Sequence, residues 1–156
     1  MKRGASSIEY LLMIAVALGI VLVTIYAVSE ILPRDLGGHH VFISRVEYDP
    51  PGDDVEGEYV VITNGELFED VNMSGWKLMD EKNHVYTFPS GFILKAGASV
   101  KVHTGSGEDT ATDLYWGRGS AVWNNNGDTA YLYDADGNLV DKCSWTGKEG
   151  GAVDCH

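Results

Sequence analysis

The chain has 156 residues, a net charge of −12 and a hydrophobic fraction of 44%. This length suits one domain of ordinary size, or a smaller domain with an appendage. The acidic balance argues against a nucleic-acid-binding protein, because phosphate contacts need a basic patch. The hydrophobic and aromatic content argues against a wholly disordered chain.

The chain begins with a hydrophobic segment. Residues 10–28 form a run of 19 residues without a charge. Residues 35–156 carry 21 of the 23 acidic residues and eight of the 11 basic ones, which leaves a net charge of −13. A run of about 20 apolar residues is long enough to cross a membrane as a helix. Lys2 and Arg3 precede it, and positive charge is retained on the cytoplasmic side, so we expect residues 35–156 outside the cell.

Three interpretations of this segment stay open. It is a single-pass anchor, a secretory signal peptide removed after residues 27–29, or a pilin-type segment whose short leader is cut before the apolar run. Glu9 bears on the choice, because a carboxylate at membrane depth is costly and a plain anchor gains nothing from it. A cut between Gly4 and Ala5 creates an α-amine with which Glu9 of a neighbouring subunit can pair. In the first helical turn, Glu9 also interacts favourably with the helix dipole.

A resemblance to the class III signal peptide of archaeal type IV pilin-like proteins lies in residues 2–10, KRGASSIEY. That family has a short basic leader ending in Gly, then a Q-x-S-x-E-Y pattern and an apolar helix. Gly4 matches the residue before the cut, Glu9 and Tyr10 match the Glu and the Tyr, and Ala5 stands where Gln is usual. The resemblance implies that a prepilin peptidase removes residues 1–4. It also implies that the helix that follows forms the filament core and packs against identical or related subunits.

The domain organisation follows from where this helix ends. We expect the hydrophobic transmembrane or filament-core helix over residues 5–32 and a linker over 33–38, because Pro33 disfavours helix before it and two glycines follow. His39 and His40 come next, at the start of an outer domain over residues 39–156. No third ligand lies at a fixed spacing from these histidines, so we interpret them as polar residues and expect no metal site.

The outer domain shows short apolar alternation between turn signals and no helical period of useful length. We predict seven strands, near residues 41–46, 59–63, 76–79, 85–88, 99–103, 129–133 and 139–143. Residues 134–138 are predicted to form a hairpin turn between the last two. This pattern is typical of a β-sandwich or barrel. Four tryptophans are expected in or beside its core: Trp76, Trp116, Trp123 and Trp145.

A second resemblance covers nearly the whole outer domain. Its first part lies in residues 58–64, EYVVITN, and 72–78, NMSGWKL, which resemble the opening of a lamin-tail domain, roughly E-Y-V-x-I-x-N and then L-S-G-W-x-L. Met73 stands where Leu is usual. The likeness continues through residues 86–89, 94–97, 123–128 and 132–137. It implies an immunoglobulin-like β-sandwich, with a role in adhesion or display rather than chemistry. The fold class is therefore mainly β, after a single N-terminal hydrophobic helix.

Few other features point to a site. The catalytic motifs G-x-S-x-G, H-E-x-x-H and C-x-x-C are absent, so we expect no enzyme activity and no cofactor. The acidic residues 53–58 are interpreted as a solvated loop. Cys143 and Cys155 lie 12 residues apart and can form a disulfide outside the cell, pinning residues 147–156 onto the last strand. Asn72 begins an N-glycosylation triplet.

The sequence thus predicts a pilin-like structural subunit of an extracellular filament. It would be inserted in the membrane before assembly and would then display the acidic β-sandwich for adhesion or another surface interaction. Its expected partners are the prepilin peptidase and identical or related pilin subunits, with no nucleic acid. The alternative is a monomeric binding module outside the cell, held by a single-pass membrane anchor.

Overall fold

Eleven β-strands and one short helix form the part of the chain that the computed structural model describes, residues 40–156. The strands are β1 Val41–Glu47, β2 Tyr59–Asn64, β3 Val71–Asn72, β4 Lys77–Met79, β5 Val85–Thr87, β6 Ile93–Leu94, β7 Ser99–His103, β8 Asp113–Tyr115, β9 Asp128–Tyr133, β10 Leu139–Trp145 and β11 Ala152–Asp154, and the helix is α1 Asp54–Gly57. No helix of these residues is long and apolar enough to cross a membrane. The predicted leader, N-terminal helix and linker lie outside the described residues.

Two larger sheets form a sandwich. One has five strands in the order β11-β1-β2-β7-β8, and the other has four in the order β10-β9-β4-β5. Strands β3 and β6 pair separately. Strands β7 and β8 are parallel, whereas the other pairs are antiparallel. Strand β1 packs against β9 and β10 of the opposite sheet. For this part of the chain, the prediction of a mainly β, immunoglobulin-like sandwich is confirmed.

The core follows from the alternation of side chains along the strands. Successive residues of a strand point to opposite faces of its sheet, so β2 buries Val60 and Ile62, and β7 buries Val100 and Val102. The opposite sheet contributes the inward faces of β4, β9 and β10 to the same apolar core. Three of the four tryptophans are buried and the fourth packs against the core, as predicted: Trp76, Trp123, Trp145 and, at the edge, Trp116.

All seven predicted strands are present, and four further strands were not predicted. Strands β3, β6, β8 and β11 have only two or three residues each, so an alternating pattern hardly shows in them. Strands β4 and β5 also have three residues each, and they were predicted as parts of the four-residue segments 76–79 and 85–88. Helix α1 was also not predicted. Asp53 caps it, because its Oδ1 accepts hydrogen bonds from the N–H groups of Val55 (2.8 Å) and Glu56 (3.2 Å).

The predicted hairpin turn between β9 and β10 is confirmed. Asp134 N–H donates to the Asn138 carbonyl (2.9 Å), and Asp134 Oδ1 accepts from the N–H groups of Asp136 (2.9 Å) and Asn138 (2.8 Å). Gly137 has a φ of +84°, a conformation that favours glycine. The bonds from Asn138 hold the pKa of the Asp134 carboxyl below its ordinary value. The carboxylate is thus occupied by its own turn.

Candidate functional site

One end of the sandwich brings together the first and last described residues. His40 precedes β1, and β11 runs antiparallel to β1, so that His156 returns to the end at which β1 begins. The ring of Phe42 contacts both imidazoles edge-on, with centroid separations of 5.6 Å to His40 and 5.4 Å to His156. We call this end, with the neighbouring loop 65–70, the entry end.

The loop between β2 and β3 carries two exposed apolar side chains. Leu67 and Phe68, which we call the apolar tip, have exposed fractions of 79% and 92%. Complete burial of a side chain of this size stabilises a protein by about 1.5–3 kcal/mol. Neither side chain contributes that stabilisation to the isolated domain. Adjacent large apolar groups on one loop are typical of a surface that contacts another apolar group.

The shape of this loop is determined by Asn64, the last residue of β2. Its side chain is fully buried, and Nδ2 donates to the backbone oxygens of Glu69 (2.8 Å) and Leu94 (3.1 Å). Its Oδ1 accepts from the N–H of Glu66 at 3.0 Å. A buried amide with satisfied partners favours a single backbone arrangement. The apolar tip is therefore presented by an ordered loop.

Further bonds attach both ends of the loop to the sandwich. At its start, Gly65 N–H donates to the His40 carbonyl (2.8 Å) and His40 N–H donates to Glu66 Oε1 (3.2 Å). At its end, Asp70 accepts from Lys95 Nζ (2.8 Å) and from the N–H of Ala96 (2.9 Å). The Lys95 ammonium holds the pKa of the Asp70 carboxyl below its ordinary value. The loop is thus tied to β1 on one side and to the β6–β7 turn on the other.

A cavity of about 300 Å³ opens at the same end of the domain. Its lining combines apolar side chains with two imidazoles and one carboxylate: His40, Val41, Phe42, Val140, Asp141 and His156. The cavity adjoins the loop, because a Cβ added to Gly65 would lie 3.2 Å from the ring of Phe42. The entry end therefore holds a projecting apolar group and a partly apolar cavity side by side.

Asp141 organises the polar side of this cavity. Its Oδ2 accepts from the N–H of Ile43 (2.8 Å) and contacts His156 Nε2 (3.0 Å). Strand β11 pairs with β1 only as far as Arg45, so Asp141 of the opposite sheet takes the bond from Ile43 beyond that point. Within residues 40–156, no group of three or more His, Cys, Asp or Glu side chains is arranged to hold a metal ion.

Glu58 corrects the interpretation of residues 53–58 as a solvated loop. Its side chain is 0% exposed, and Oε1 accepts a hydrogen bond from the N–H of Val122 at 2.6 Å. Burial raises the pKa of the Glu58 carboxyl, and the bond from Val122 only partly offsets this effect. The sequence did contain a signal. Glu58 lies two residues before Val60 and four before Ile62, so the alternation that turns those side chains inward also turns Glu58 inward.

This glutamate begins the E-Y-V motif of the β2 strand, and the surrounding residues fit one known family. The family model of the Lamin Tail Domain matches residues 37–147. The chain belongs to the lamin-tail domain family. The resemblance of the outer domain to a lamin-tail domain is therefore confirmed, and the lamin-tail fold is a non-catalytic one. No curated protein matches the chain.

A disulfide joins Cys143 to Cys155 in the tail that follows the lamin-tail match, with their Cα atoms 5.7 Å apart. Cys143 lies in β10 of the four-stranded sheet, whereas β11, just before Cys155, pairs with β1 of the five-stranded sheet. The disulfide to the last predicted strand was expected, and the pairing of the tail with β1 was not. The tail adds an edge strand to one sheet and is covalently bonded to the other.

The remaining predicted site residues are distributed as follows. Asn72 is exposed on the lamin-tail domain, and its Oδ1 accepts from the N–H (3.0 Å) and the hydroxyl (2.6 Å) of Ser74. The acceptor triplet is thus accessible, and its glycosylation stays a prediction. Four predicted residues lie outside residues 40–156, so their roles also stay predictions: Gly4, Ala5, Glu9 and Tyr10.

Proposed function

We propose that the protein is a pilin-like structural subunit of an extracellular filament. In this proposal the leader, residues 1–4, is removed, and the apolar segment holds the protein in the membrane before assembly. The same segment then packs with identical or related segments in the filament. The lamin-tail domain is displayed on the outside for adhesion or another surface interaction.

The observation that carries the proposal is the position of Glu9. It stands at the head of the 19-residue uncharged run and five residues after Gly4. A carboxylate there is unfavourable for an isolated anchor. It becomes favourable when it pairs with the α-amine that cleavage creates on Ala5 of a neighbouring subunit, because opposite charges attract strongly in a medium of low dielectric constant.

The disulfide supports the expected location of the outer domain. Disulfides are typical of proteins in oxidising compartments outside the cytoplasm. The bridge between Cys143 and Cys155 is consistent with the orientation expected from Lys2 and Arg3, which keeps the N-terminus inside. The acidic surface of the domain, in turn, favours solubility on the outside of a filament.

The first test is the intact mass of the protein isolated from its own cells. Loss of residues 1–4 alone, leaving Ala5 at the N-terminus, would support prepilin processing. An uncut N-terminus would instead favour the anchored binding module. A start near Glu30 would make the protein a freely secreted domain and would contradict the proposal.

The second test is the behaviour of a Glu9→Ala variant. We expect it to enter the membrane normally and to assemble poorly, so that mechanical shear releases filaments from wild-type cells but few from the variant. Glu30→Ala is the matched control, since it removes a carboxylate from the far end of the same apolar segment. Normal filaments from the Glu9 variant would refute the pairing role of Glu9.

A further inference from the structure

The apolar tip projects from the domain, and the cavity beside it is a recess that is partly lined by apolar side chains. The tip projects Leu67 and Phe68, the two most exposed large apolar side chains of residues 40–156. The cavity has Val41, Phe42 and Val140 as the apolar part of its lining, and its volume of about 300 Å³ exceeds that of one aromatic side chain. An inserted ring could pack against Phe42 in the edge-to-face manner that aromatic pairs prefer.

The tip cannot fill the cavity of its own domain, because its loop is tied in place. Asn64 holds the loop from the core side, and the bond from Gly65 to His40 anchors its base. A second copy of the chain, however, presents the same projection and the same cavity side by side. A surface that carries both can pair with an identical surface about a twofold axis.

The charges around the tip favour a second copy over a membrane as its partner. Glu66, Glu69 and Asp70 flank the two apolar residues, and carboxylates are repelled by anionic lipid headgroups. The rim of the cavity carries the imidazoles of His40 and His156 beside Asp141. The N–H group of an imidazole can donate a hydrogen bond to an approaching carboxylate, whereas the headgroups of an anionic leaflet repel it.

We propose that Phe68, with Leu67 beside it, inserts into the cavity of a second copy of this chain. The contact buries the apolar tip against Phe42 and Val140 of the other molecule. It needs only two copies side by side, as anchored proteins or as filament subunits. It therefore goes beyond the filament proposal and does not depend on processing at Gly4.

Photo-crosslinking of the full chain in its own membranes tests the contact. A benzophenone-bearing phenylalanine at position 68 is expected to give a product of twice the chain mass, joined to a peptide that contains Phe42 or Val140. The same probe at Val85, which is 40% exposed on β5, is the matched control and should give no such product. Attachment of the position-68 probe to lipid or to a different protein would overturn the proposal, and so would a dimer joined at another site.

A reciprocal experiment separates this contact from the filament proposal. The probe is placed at Leu139, which is 50% exposed beside the cavity residue Val140, so that the cavity stays open. Phe68→Ser is then added, a change that leaves the core intact because Phe68 is exposed. Dimer yield should fall roughly tenfold or more, since an aromatic anchor dominates an interface of this kind. Ile93→Ser should leave the yield unchanged. An undiminished yield with Phe68→Ser would refute the tip contact, whether or not shear still releases filaments.

Discussion

Glu58→Gln tests whether burial raises the pKa of the Glu58 carboxyl in the folded domain. Glutamine preserves the side-chain oxygen that accepts from Val122 N–H, and its amide group can donate to the nearby Thr104 hydroxyl. Thr104 lies next to Glu58, because their backbones are hydrogen bonded at 3.2 Å. The substitution therefore removes a titratable proton and changes little else.

The sign and size of the effect follow from linkage. Burial raises the folded-state pKa of Glu58 above its ordinary value of 4.5. The folded domain therefore keeps a proton that the unfolded chain releases, and this stabilisation, complete below pH 4.5, is lost as the pH rises to the folded-state pKa. Within that window the free energy of unfolding of the wild type falls by up to about 1.4 kcal/mol per pH unit. The glutamine variant lacks this decrease, so the stability difference in its favour grows with pH.

Urea unfolding of residues 39–156 measures this difference at a series of pH values from about 4 to 8. The fluorescence of the buried tryptophans reports unfolding. Glu56→Gln is the control, because Glu56 is exposed and only two residues away. Glu58→Ala should be destabilised at every pH by about 1–3 kcal/mol, because it leaves the Val122 N–H without a partner. Parallel stability curves for wild type and Glu58→Gln would refute the argument that burial raises the pKa of Glu58.

Three further substitutions test other parts of the structure. Replacing Cys143 and Cys155 by serine should lower the free energy of unfolding by about 3 kcal/mol for a separation of 12 residues, and an unchanged urea midpoint would contradict this. Bonds from Thr146 lower the pKa of Glu149 to about 2, so its contribution to stability is present above pH 4.5 and is lost as the pH falls towards 2. Glu149→Gln should make the melting temperature depend less on pH over that range, and an unchanged pH dependence would contradict this. Asn64→Ala should accelerate amide hydrogen exchange in the loop 65–70, and unchanged protection there would show that other bonds are sufficient.

The longer strands were predictable because apolar and polar residues alternate over enough positions to form a recognisable pattern. The run from Tyr59 to Asn64 alternates over six residues, and its partner β7 over five. Strands of two or three residues carry no such period, and of these only β4 and β5 were predicted, as parts of four-residue segments. Strand β11 depends on pairing with β1, more than a hundred residues earlier in the chain. The alternation in β2 also identifies two buried polar residues, because Glu58 and Asn64 occupy inward positions of the pattern. Buried polar positions of this kind identify residues that organise their surroundings.

The entry end could not be derived from the sequence. Its cavity is lined by residues 40–42, 140–141 and 156, which no local spacing connects. The exposure of the apolar tip could not be predicted either. Leu67 and Phe68 lie between acidic residues, and this short apolar pair does not indicate whether it faces the core or water. Their exposure depends on the bonds that Asn64 makes to backbone groups of both neighbouring segments.

The placement of β1 has a mechanical consequence. A force applied to the chain at His40 acts directly on β1, which lies between β2 and β11 rather than at the edge of its sheet. Pulling β1 out of the sheet would require breaking its hydrogen bonds to both neighbouring strands at once, whereas an edge strand is hydrogen bonded to a single neighbour. The disulfide between Cys155, just after β11, and Cys143 limits how far β11 can move when force is applied. A lamin-tail domain tethered through His40 would therefore resist unfolding under a pulling force.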